Sequence, residues 1–277
     1  MPRTLSAVLS CVLSLLASAC ASHSEPNVIV TTAGAVEEGV LGWKSERDQT
    51  IRLATQGDVD VDLDIFAGDV TVVCRPEAKD TEIALRRIGT FGWGRSDEAV
   101  ASLGDIHYTA TLERNDGRDT AVIRATTEHP EPHFQRVDVV ITVPLLGAVK
   151  VRTARGDVWV EQNRGPADIV TSRGAIRVMT PWKMDRSMTL VTSDGDVDLR
   201  IRGESCGRFD AETVGGKVKA RIKYGQWLPL DQTNDSNRLH ATLNGGTNPV
   251  VMRTSNADIM ILVTEQPLSS NPFPGVW

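Results

Sequence analysis

The sequence lacks the short motifs that mark the commonest kinds of catalytic site. It has no Gly-x-Ser-x-Gly nucleophile elbow, no Cys-x-x-Cys pair, no phosphate-binding Walker loop and no dinucleotide-binding glycine fingerprint. Histidine is scarce, with five in 277 residues, and helical periodicity is almost absent after the N-terminus. The sequence therefore predicts neither an enzyme nor a cofactor.

An excess of basic residues is missing as well. Lys and Arg total 30 against 36 Asp and Glu, which gives a formal net charge of −6. Nucleic-acid binding requires a basic face, so this composition argues against it. After the first residues, no apolar run approaches the roughly 18 residues that a membrane-spanning helix needs. We expect a mature protein that is soluble or tethered only at its N-terminus.

The N-terminus has the layout of a secretory signal. Arg3 supplies a positive charge, an apolar run extends over Leu5–Leu16, and small residues follow up to Ala21. The apolar run is too short to cross a bilayer. We expect residues 1–21 to be a signal peptide and the protein to be exported.

Cys20 leaves two forms of processing open. The residues before it resemble a bacterial lipobox, in which Cys20 would be lipidated and become the new N-terminus. An ordinary signal peptidase would instead cleave after Ala19 or Ala21. Residues 22–44 suit a tether beyond a lipid anchor. The protein is thus expected to be an outer- or cytoplasmic-membrane lipoprotein facing the periplasm or the surface, or to be secreted.

Two cysteines, Cys74 and Cys206, lie within the body of the mature chain. In an oxidising envelope they are able to form a disulfide. Two separate buried thiols are the alternative.

Short strands dominate the rest of the sequence. Val, Ile, Leu and Thr alternate with polar residues in many runs, such as residues 56–65, 137–143 and 149–153. Successive side chains of a strand point to opposite faces, so such runs bury one face and expose the other. The predicted fold class is all-β.

One motif returns at a nearly constant spacing. It consists of apolar-x-Thr-x-x-Gly, then Asp or a small residue, then apolar-x-apolar. Its copies occupy residues 151–160, 169–178, 190–199, 209–220 and 251–261. The glycines of the first four copies stand 18, 21 and 21 residues apart, at Gly156, Gly174, Gly195 and Gly216. Glycine suits such a turn because a Cβ would penalise a positive φ angle.

A unit of about 20 residues cannot bury its own apolar face, but stacked units can. Each strand then bonds the next copy about 4.8 Å away, and the inward Val, Ile and Leu form one continuous core. We therefore predict a β-solenoid of Gly-turn repeats over residues 146–263. Residues 45–145 would form an irregular N-terminal β region and cap, and residues 264–277 a C-terminal tail.

These motifs resemble the bacterial putative adhesin family, a domain of unknown function found in exported and membrane-attached proteins. The resemblance rests on Val137–Pro144, Ser172–Gly174, Thr192–Val197 and residues 241–246, and it extends over residues 45–263. It implies a single-stranded, right-handed β-solenoid. It brings no catalytic residues, because its motifs are turns between short strands.

The irregular segment before the repeats contains the best candidate for a ligand site. Phe91, Trp93 and Arg95 lie among glycines, which makes this aromatic pair hard to bury in a regular strand. An exposed Trp and Arg suit stacking on a sugar or gripping a partner. The alternative is local packing over the end of the solenoid.

Two stretches contain several residues of the types that bind metal ions, but each has a simpler interpretation. One is the alternating acidic run Asp58, Asp60, Asp62 and Asp64, which shares one side of a strand and equally fits a solvated face. Residues 128–133 hold two Glu and two His, but their two prolines exclude the helical spacing of a zinc motif. We predict no metal site.

Compartment and fold together favour a non-catalytic envelope module with an adhesin-like binding or scaffold role. Its partners would be an envelope protein, a polysaccharide, or the membrane through an N-terminal lipid. A solenoid presents equivalent side chains at fixed spacing, which suits extended ligands. The alternatives are a carbohydrate-active β-helix enzyme, such as a polysaccharide lyase or hydrolase, and a sensory or assembly role in envelope stress.

Overall fold

Twenty β-strands make up nearly all of the regular structure in the computed structural model, which describes residues 29–39, 42–230 and 234–269. In chain order they are β1 (Ile29–Gly39), β2 (Gly42–Leu53), β3 (Val59–Ile65), β4 (Val70–Cys74), β5 (Thr81–Phe91), β6 (Ile106–Asn115), β7 (Arg118–Thr127), β8 (Gln135–Val143), β9 (Leu146–Arg155), β10 (Val158–Glu161), β11 (Ala167–Arg173), β12 (Ile176–Met179), β13 (Met188–Val191), β14 (Val197–Ile201), β15 (Gly207–Thr213), β16 (Val218–Ile222), β17 (Trp227–Pro229), β18 (Arg238–Leu243), β19 (Pro249–Thr254) and β20 (Ile259–Val263). The helical segments are short: α1 (Ser96–Ala101) and 3-10 turns at Ser102–Asp105 and Pro132–Phe134. The prediction of an all-β chain is confirmed.

The strands form two ten-stranded sheets around one apolar core. The first sheet has the order β1-β2-β5-β8-β4-β10-β12-β14-β20-β16, and the second has the order β17-β18-β15-β19-β13-β11-β9-β3-β7-β6. In the first sheet, the seven strands β8-β4-β10-β12-β14-β20-β16 are parallel to one another. In the second sheet, the seven strands β15-β19-β13-β11-β9-β3-β7 are parallel to one another. The strands outside these runs pair antiparallel and cap the two ends.

Each repeat crosses from the second sheet to the first and forms one rung of a stack. A rung is a strand of the second sheet, a turn and a strand of the first, as in β9, Gly156 and β10. Among the described residues the rungs follow one another in space as β7/β8, β3/β4, β9/β10, β11/β12, β13/β14, β19/β20 and β15/β16. The turns at Gly68, Gly156, Gly174 and Gly195 lie along one edge of this stack, which we call the turn edge.

The order of the rungs in space differs from their order along the chain. Rung β7/β8 lies on one side of β3/β4, and the chain then begins β9/β10 on the other side. Likewise, β19/β20 is inserted between β13/β14 and β15/β16. A later rung is able to pair with any earlier one because all rungs have the same open backbone edges and the same apolar face. Stacked repeats over residues 146–263 were predicted from the sequence, but this order of the rungs in space was not.

Alternation along the strands buries one face of each sheet. In β3 the side chains of Val59, Val61, Leu63 and Ile65 are at most 2% exposed, and the acidic residues between them face outward. Fully burying such a side chain is worth about 1.5–3 kcal/mol relative to leaving it exposed. The apolar positions therefore hold the two sheets together.

The turn glycines are required for two reasons. Gly156 and Gly174 have φ angles of +131° and +144°, a region that L side chains rarely adopt. In addition, a Cβ on Gly174 would overlap the carbonyl oxygen of Gly156 on the neighbouring rung. The predicted positive φ is confirmed at Gly156, Gly174 and Gly195, but it is wrong for Gly216, whose φ is not positive. The close approach of the rungs adds a constraint that the sequence alone does not show.

The Thr and Asp of the motif bond successive rungs together at the turn edge. Thr192 Oγ1 donates to the carbonyl of Gly174 at 2.9 Å, and the carboxylate of Asp157 accepts the N–H of Ala175 at 2.8 Å. Equivalent bonds recur on other rungs. Backbone groups in turns need such partners, so these motif residues serve the fold.

Cys74 and Cys206 are both free thiols. The buried Cys74 donates to the carbonyl of Pro144 at 3.3 Å, whereas Cys206 Sγ lies 3.8 Å from Asn248 Oδ1. Burial raises the pKa of the Cys74 thiol. Of the two alternatives, the structure contains separate thiols rather than a disulfide.

The predicted signal peptide, Cys20 and residues 270–277 of the predicted tail lie outside the described residues. In the part of the chain that the structure describes, no helix is long and apolar enough to span a membrane.

Candidate ligand-binding site

A cavity of about 630 Å³ opens at the turn edge, and we call it the turn-edge pocket. Ala67 and Gly68 of rung β3/β4 line it, with Arg136 and Arg155 on the rungs to either side. The end of β5 with its following turn, and the 3-10 turn Pro132–Phe134, form the outer wall. The volume lies within the range of about 300–1,000 Å³ that is usual for ligand pockets.

The pocket exists because one rung has a small residue where its neighbours have arginine. The position before the turn glycine, or before its equivalent, holds Arg136, Ala67, Arg155 and Arg173 on four successive rungs. Backbone hydrogen bonds of 2.6 and 2.8 Å join these positions from rung to rung. Ala67 thus leaves a gap between two long side chains. We refer to Arg136, Arg155 and Arg173 as the arginine row.

The outer wall is an aromatic cluster held by Arg95. Phe91 packs on Phe134 with ring centroids 5.0 Å apart. The Arg95 guanidinium stacks on both rings, 4.9 Å from the centroid of Phe91 and 5.2 Å from that of Phe134. Its nitrogens also bond Glu98, at 2.6 Å, and Glu131. Because two carboxylates and two aromatic faces fix this cation, the wall is pre-organised.

These ion pairs shift the pKa values of the groups involved. The hydrogen bonds to Glu98 and Glu131 raise the pKa of Arg95, and the hydrogen bond from Arg95 lowers the pKa of Glu98. Both groups are charged at neutral pH. A proton donor or acceptor works best with a pKa near the operating pH, so Arg95 and Glu98 hold the wall rather than transfer protons.

The structure separates the three residues that the sequence grouped as a ligand site. Phe91 is 1% exposed, so the expectation that nearby glycines keep it out of the interior is wrong: it ends a regular strand, and the glycines follow it. Arg95 lines the pocket with its charge already paired. Trp93 is 62% exposed, in a turn closed by a 3.2 Å bond from the N–H of Arg95 to the carbonyl of Gly92. Gly92 and Arg95 line the pocket, whereas Trp93, between them in the sequence, is exposed and does not line it.

Sequence reasoning missed Ala67, Phe134, Arg136 and Arg155. Arg136 begins a rung in which Val137 takes the place of the turn glycine, so the motif does not reveal the equivalence. Aligning the rungs position by position is the signal that places the arginines in one row. The loop before Arg136 appeared only as a candidate metal site or exposed connection.

Residues 103–262 match the family described as Toastrack DUF4097. The chain belongs to the Toastrack DUF4097 family. The match covers more than half of the chain and confirms the membership of a domain family of unknown function that the repeat motif predicted.

Solved structures similar to this Toastrack chain include a putative cell adhesion protein from Clostridium sporogenes. The two are 11% identical, with a TM-score of 0.55, over 84% of this chain and 99% of that one. Putative adhesins from Bacteroides fragilis and Parabacteroides merdae are 12% and 8% identical, with TM-scores of 0.28 and 0.26. They cover 78% and 79% of this chain and 97% and 93% of their own. The Clostridium similarity concerns the fold alone. No curated protein sequence matches the chain.

The two stretches of this Toastrack chain that invited a metal site have bonds of their own. Asp62 pairs with Arg124 and Lys150, at 3.1 and 3.2 Å. In the loop before β8, the N–H of Glu131 donates to His129 Nδ1 at 3.1 Å. Across the described ranges, no three His, Cys, Asp or Glu side chains are grouped to hold a metal ion.

A second polar cluster lies on the second sheet. His240 Nε2 is 2.8 Å from Asp210 Oδ1, and Arg253 Nη2 donates to Asp210 Oδ2 at 2.6 Å. Burial raises the pKa of Asp210, but the hydrogen bonds and charges of Arg253 and His240 lower it overall. Asp210 is thus a charged acceptor, and the cluster ties β15, β18 and β19 of this Toastrack chain together.

Proposed function

We propose that this chain is a non-catalytic, adhesin-like binding module of the bacterial cell envelope, whose ligand occupies the turn-edge pocket. The observation that carries the proposal is a formed cavity on stacked rungs, lined by Arg136 and Arg155, with the exposed Trp93 next in sequence to the lining residue Gly92. Binding residues favour loops placed by a rigid scaffold. Aromatic and Arg side chains supply much of the binding energy at interfaces.

The charges around the pocket support binding rather than catalysis. Most glycoside hydrolases use two carboxyl groups, one as acid and one as base or nucleophile. Among the described residues that line the pocket, Asp69 is the one carboxylate, and its Oδ1 accepts the N–H of Asp157 at 2.9 Å. The pocket offers contacts to a ligand but no carboxyl pair.

An envelope location is the second part of the proposal. It rests on the sequence of residues 1–21 and on Cys20, which would be lipidated, or removed with the signal if cleavage follows Ala21. The names of the proteins similar in fold, putative adhesin and putative cell adhesion protein, fit this location. The partner would be an envelope polysaccharide or protein.

We also propose that the consecutive rungs from β9 to β14 coil in the right-handed sense. Parallel strands of one sheet that are joined by a crossover are right-handed in about 98% of cases. The family resemblance implies the same hand.

A pocket-blocking variant tests the binding proposal. A Cβ on Gly92 meets no atom within 4 Å, so the Gly92→Phe side chain starts in open space beside the pocket. Gly104 is equally unobstructed but does not line the pocket, so Gly104→Phe is the matched control. We expect Gly92→Phe to weaken binding to isolated envelope polysaccharide at least about tenfold, or 1.4 kcal/mol. The melting temperature should not change.

Isothermal titration would measure the affinities, with an assay for newly released sugar ends run in parallel. Equal affinities of the two Phe variants and the wild type would contradict the pocket as the ligand site. Release of reducing or unsaturated ends would identify the chain as a carbohydrate-active enzyme instead.

A further inference from the structure

We infer that the ligand of the turn-edge pocket is a linear acidic polysaccharide, with its carboxylates on the arginine row and one sugar in the pocket. The inference rests on the proposed function and names the class of its ligand. It depends on Arg155 and Arg173, which lie side by side without a carboxylate partner among the described residues.

Arg155 and Arg173 occupy equivalent positions on neighbouring rungs. β9 and β11 are parallel, and their register pairs the two residues directly. Such strands lie about 4.8 Å apart, so two like charges are held close together. Arg136 lies two rungs before Arg155, beyond Ala67. The arginine row therefore extends over four rungs, roughly 14 Å along the stack.

The charges of Arg155 and Arg173 are not neutralised within the described part of the chain. Arg152 and Arg177, which belong to the same repeats, each bond an aspartate. Arg155 instead donates to three backbone carbonyls of residues 132–135, at 3.2, 3.3 and 3.5 Å. Neither Arg155 nor Arg173 has a described carboxylate within 4.0 Å. An anion at the turn edge would supply the missing partner.

Acidic neighbours restrict which anion fits. Asp157 and Asp194 are exposed beside the row, and Asp157 is fixed there by its bond from Ala175. These charges and the net charge of −6 repel a densely charged polymer such as a nucleic acid. A polysaccharide with one carboxylate on each acidic sugar has a lower charge density than a nucleic acid. A carboxylate also matches the planar fork of a guanidinium.

The row gives the ligand a direction. It runs along the stacking axis, across the strands, and the pocket lies between Arg136 and Arg155. A chain with one sugar in the pocket would pass over Arg155 and then Arg173. On the following rung it meets Asp194, whose backbone bridges to Arg173. The favourable contacts end there, so the structure suits a short stretch of polymer.

Titration with hexagalacturonate, a linear oligosaccharide with one carboxylate per sugar, tests the inference. Arg155→Gln and Arg173→Gln each remove one charge of the row. Arg118→Gln removes an exposed charge at the β6–β7 turn, away from the pocket, and is the control. We expect each row variant to weaken binding about tenfold or more and to reduce its salt dependence. The control should bind like the wild type.

Arg155 also anchors a loop, so its substitution affects stability as well as charge. If Arg155→Gln has a lower melting temperature than the wild type, the affinity of Arg173→Gln for hexagalacturonate is the test. Equal affinity of Arg173→Gln and the wild type would overturn the inference, as would no binding of hexagalacturonate at millimolar concentration.

Two further probes separate this inference from the proposed function. The carboxyl-reduced, neutral hexamer should bind far more weakly than hexagalacturonate. If it binds equally well and Gly92→Phe blocks both, the acidic class is overturned while the pocket stands. If Gly92→Phe binds both like the wild type, the proposed function fails as well. Tighter, row-dependent binding of polyphosphate would overturn the polysaccharide in favour of a phosphate polymer.

Discussion

Adding one methyl group at Gly174 should cost the stack much of its stability. A residue other than glycine at a φ of +144° costs about 1–3 kcal/mol. The new Cβ would also overlap the carbonyl oxygen of Gly156, so the two rungs would have to separate. That movement weakens the bonds that join these two rungs, from Gly156 N–H to the carbonyl of Arg173 and from Val158 N–H to the carbonyl of Ala175, each 2.8 Å long. Each is worth about 0.5–1.5 kcal/mol, so Gly174→Ala should lose about 2–6 kcal/mol in total.

Gly57 provides the matched control for this substitution. Its φ of +71° is also positive, but a Cβ there meets no atom within 4 Å. Gly57→Ala should therefore lose only the backbone cost, about 1–2 kcal/mol. Urea denaturation with a common m value would measure both free energies of unfolding. Equal losses in the two variants would refute the argument that close stacking of the rungs requires glycine.

Acid sensitivity, the exposed Trp93 and membrane attachment provide three further tests. The hydrogen bond from Arg114 lowers the pKa of Asp119, so its stabilisation is present above about pH 4 and is lost as the pH falls through the lowered folded value. Asp119→Asn should thus be less stable than the wild type at pH 6, with the gap narrowing at pH 3 in urea titrations; a constant gap would count against this. Trp93→Ala should weaken polysaccharide binding about fivefold or more at an unchanged melting temperature, and Trp182→Ala, at the opposite edge, should not. Cys20→Ser should move the protein from the detergent-soluble membrane fraction to the soluble fraction, and unchanged partitioning would favour plain secretion.

The individual rungs are predictable because their determinants are local. The alternation of β3 fixes which side chains are buried, and Gly156 and Gly174 fix where the chain turns. The order of the rungs is not local. Val197 pairs with Ile259, far along the chain, although Val218 of the next repeat has the same pattern and an equally suitable backbone edge. Nothing in one repeat specifies which copy becomes its neighbour.

The pocket was only partly predictable for the same reason. The exposure of Trp93 follows from its glycine-rich context and is confirmed. The burial of Phe91 depends on Phe134, which is distant in sequence. Arg136 and Arg155 come together because β4 lies between β8 and β10. Only the assembled stack contains that information.

Hydrogen–deuterium exchange with and without saturating hexagalacturonate tests most directly where the ligand binds. We predict slower exchange in residues 91–95, 132–136 and 155–157, which surround the turn-edge pocket. Residues 180–187, at the opposite edge of the stack, should exchange at the same rate in both samples. Protection of the opposite edge, or no change around the pocket with ligand bound, would contradict the account.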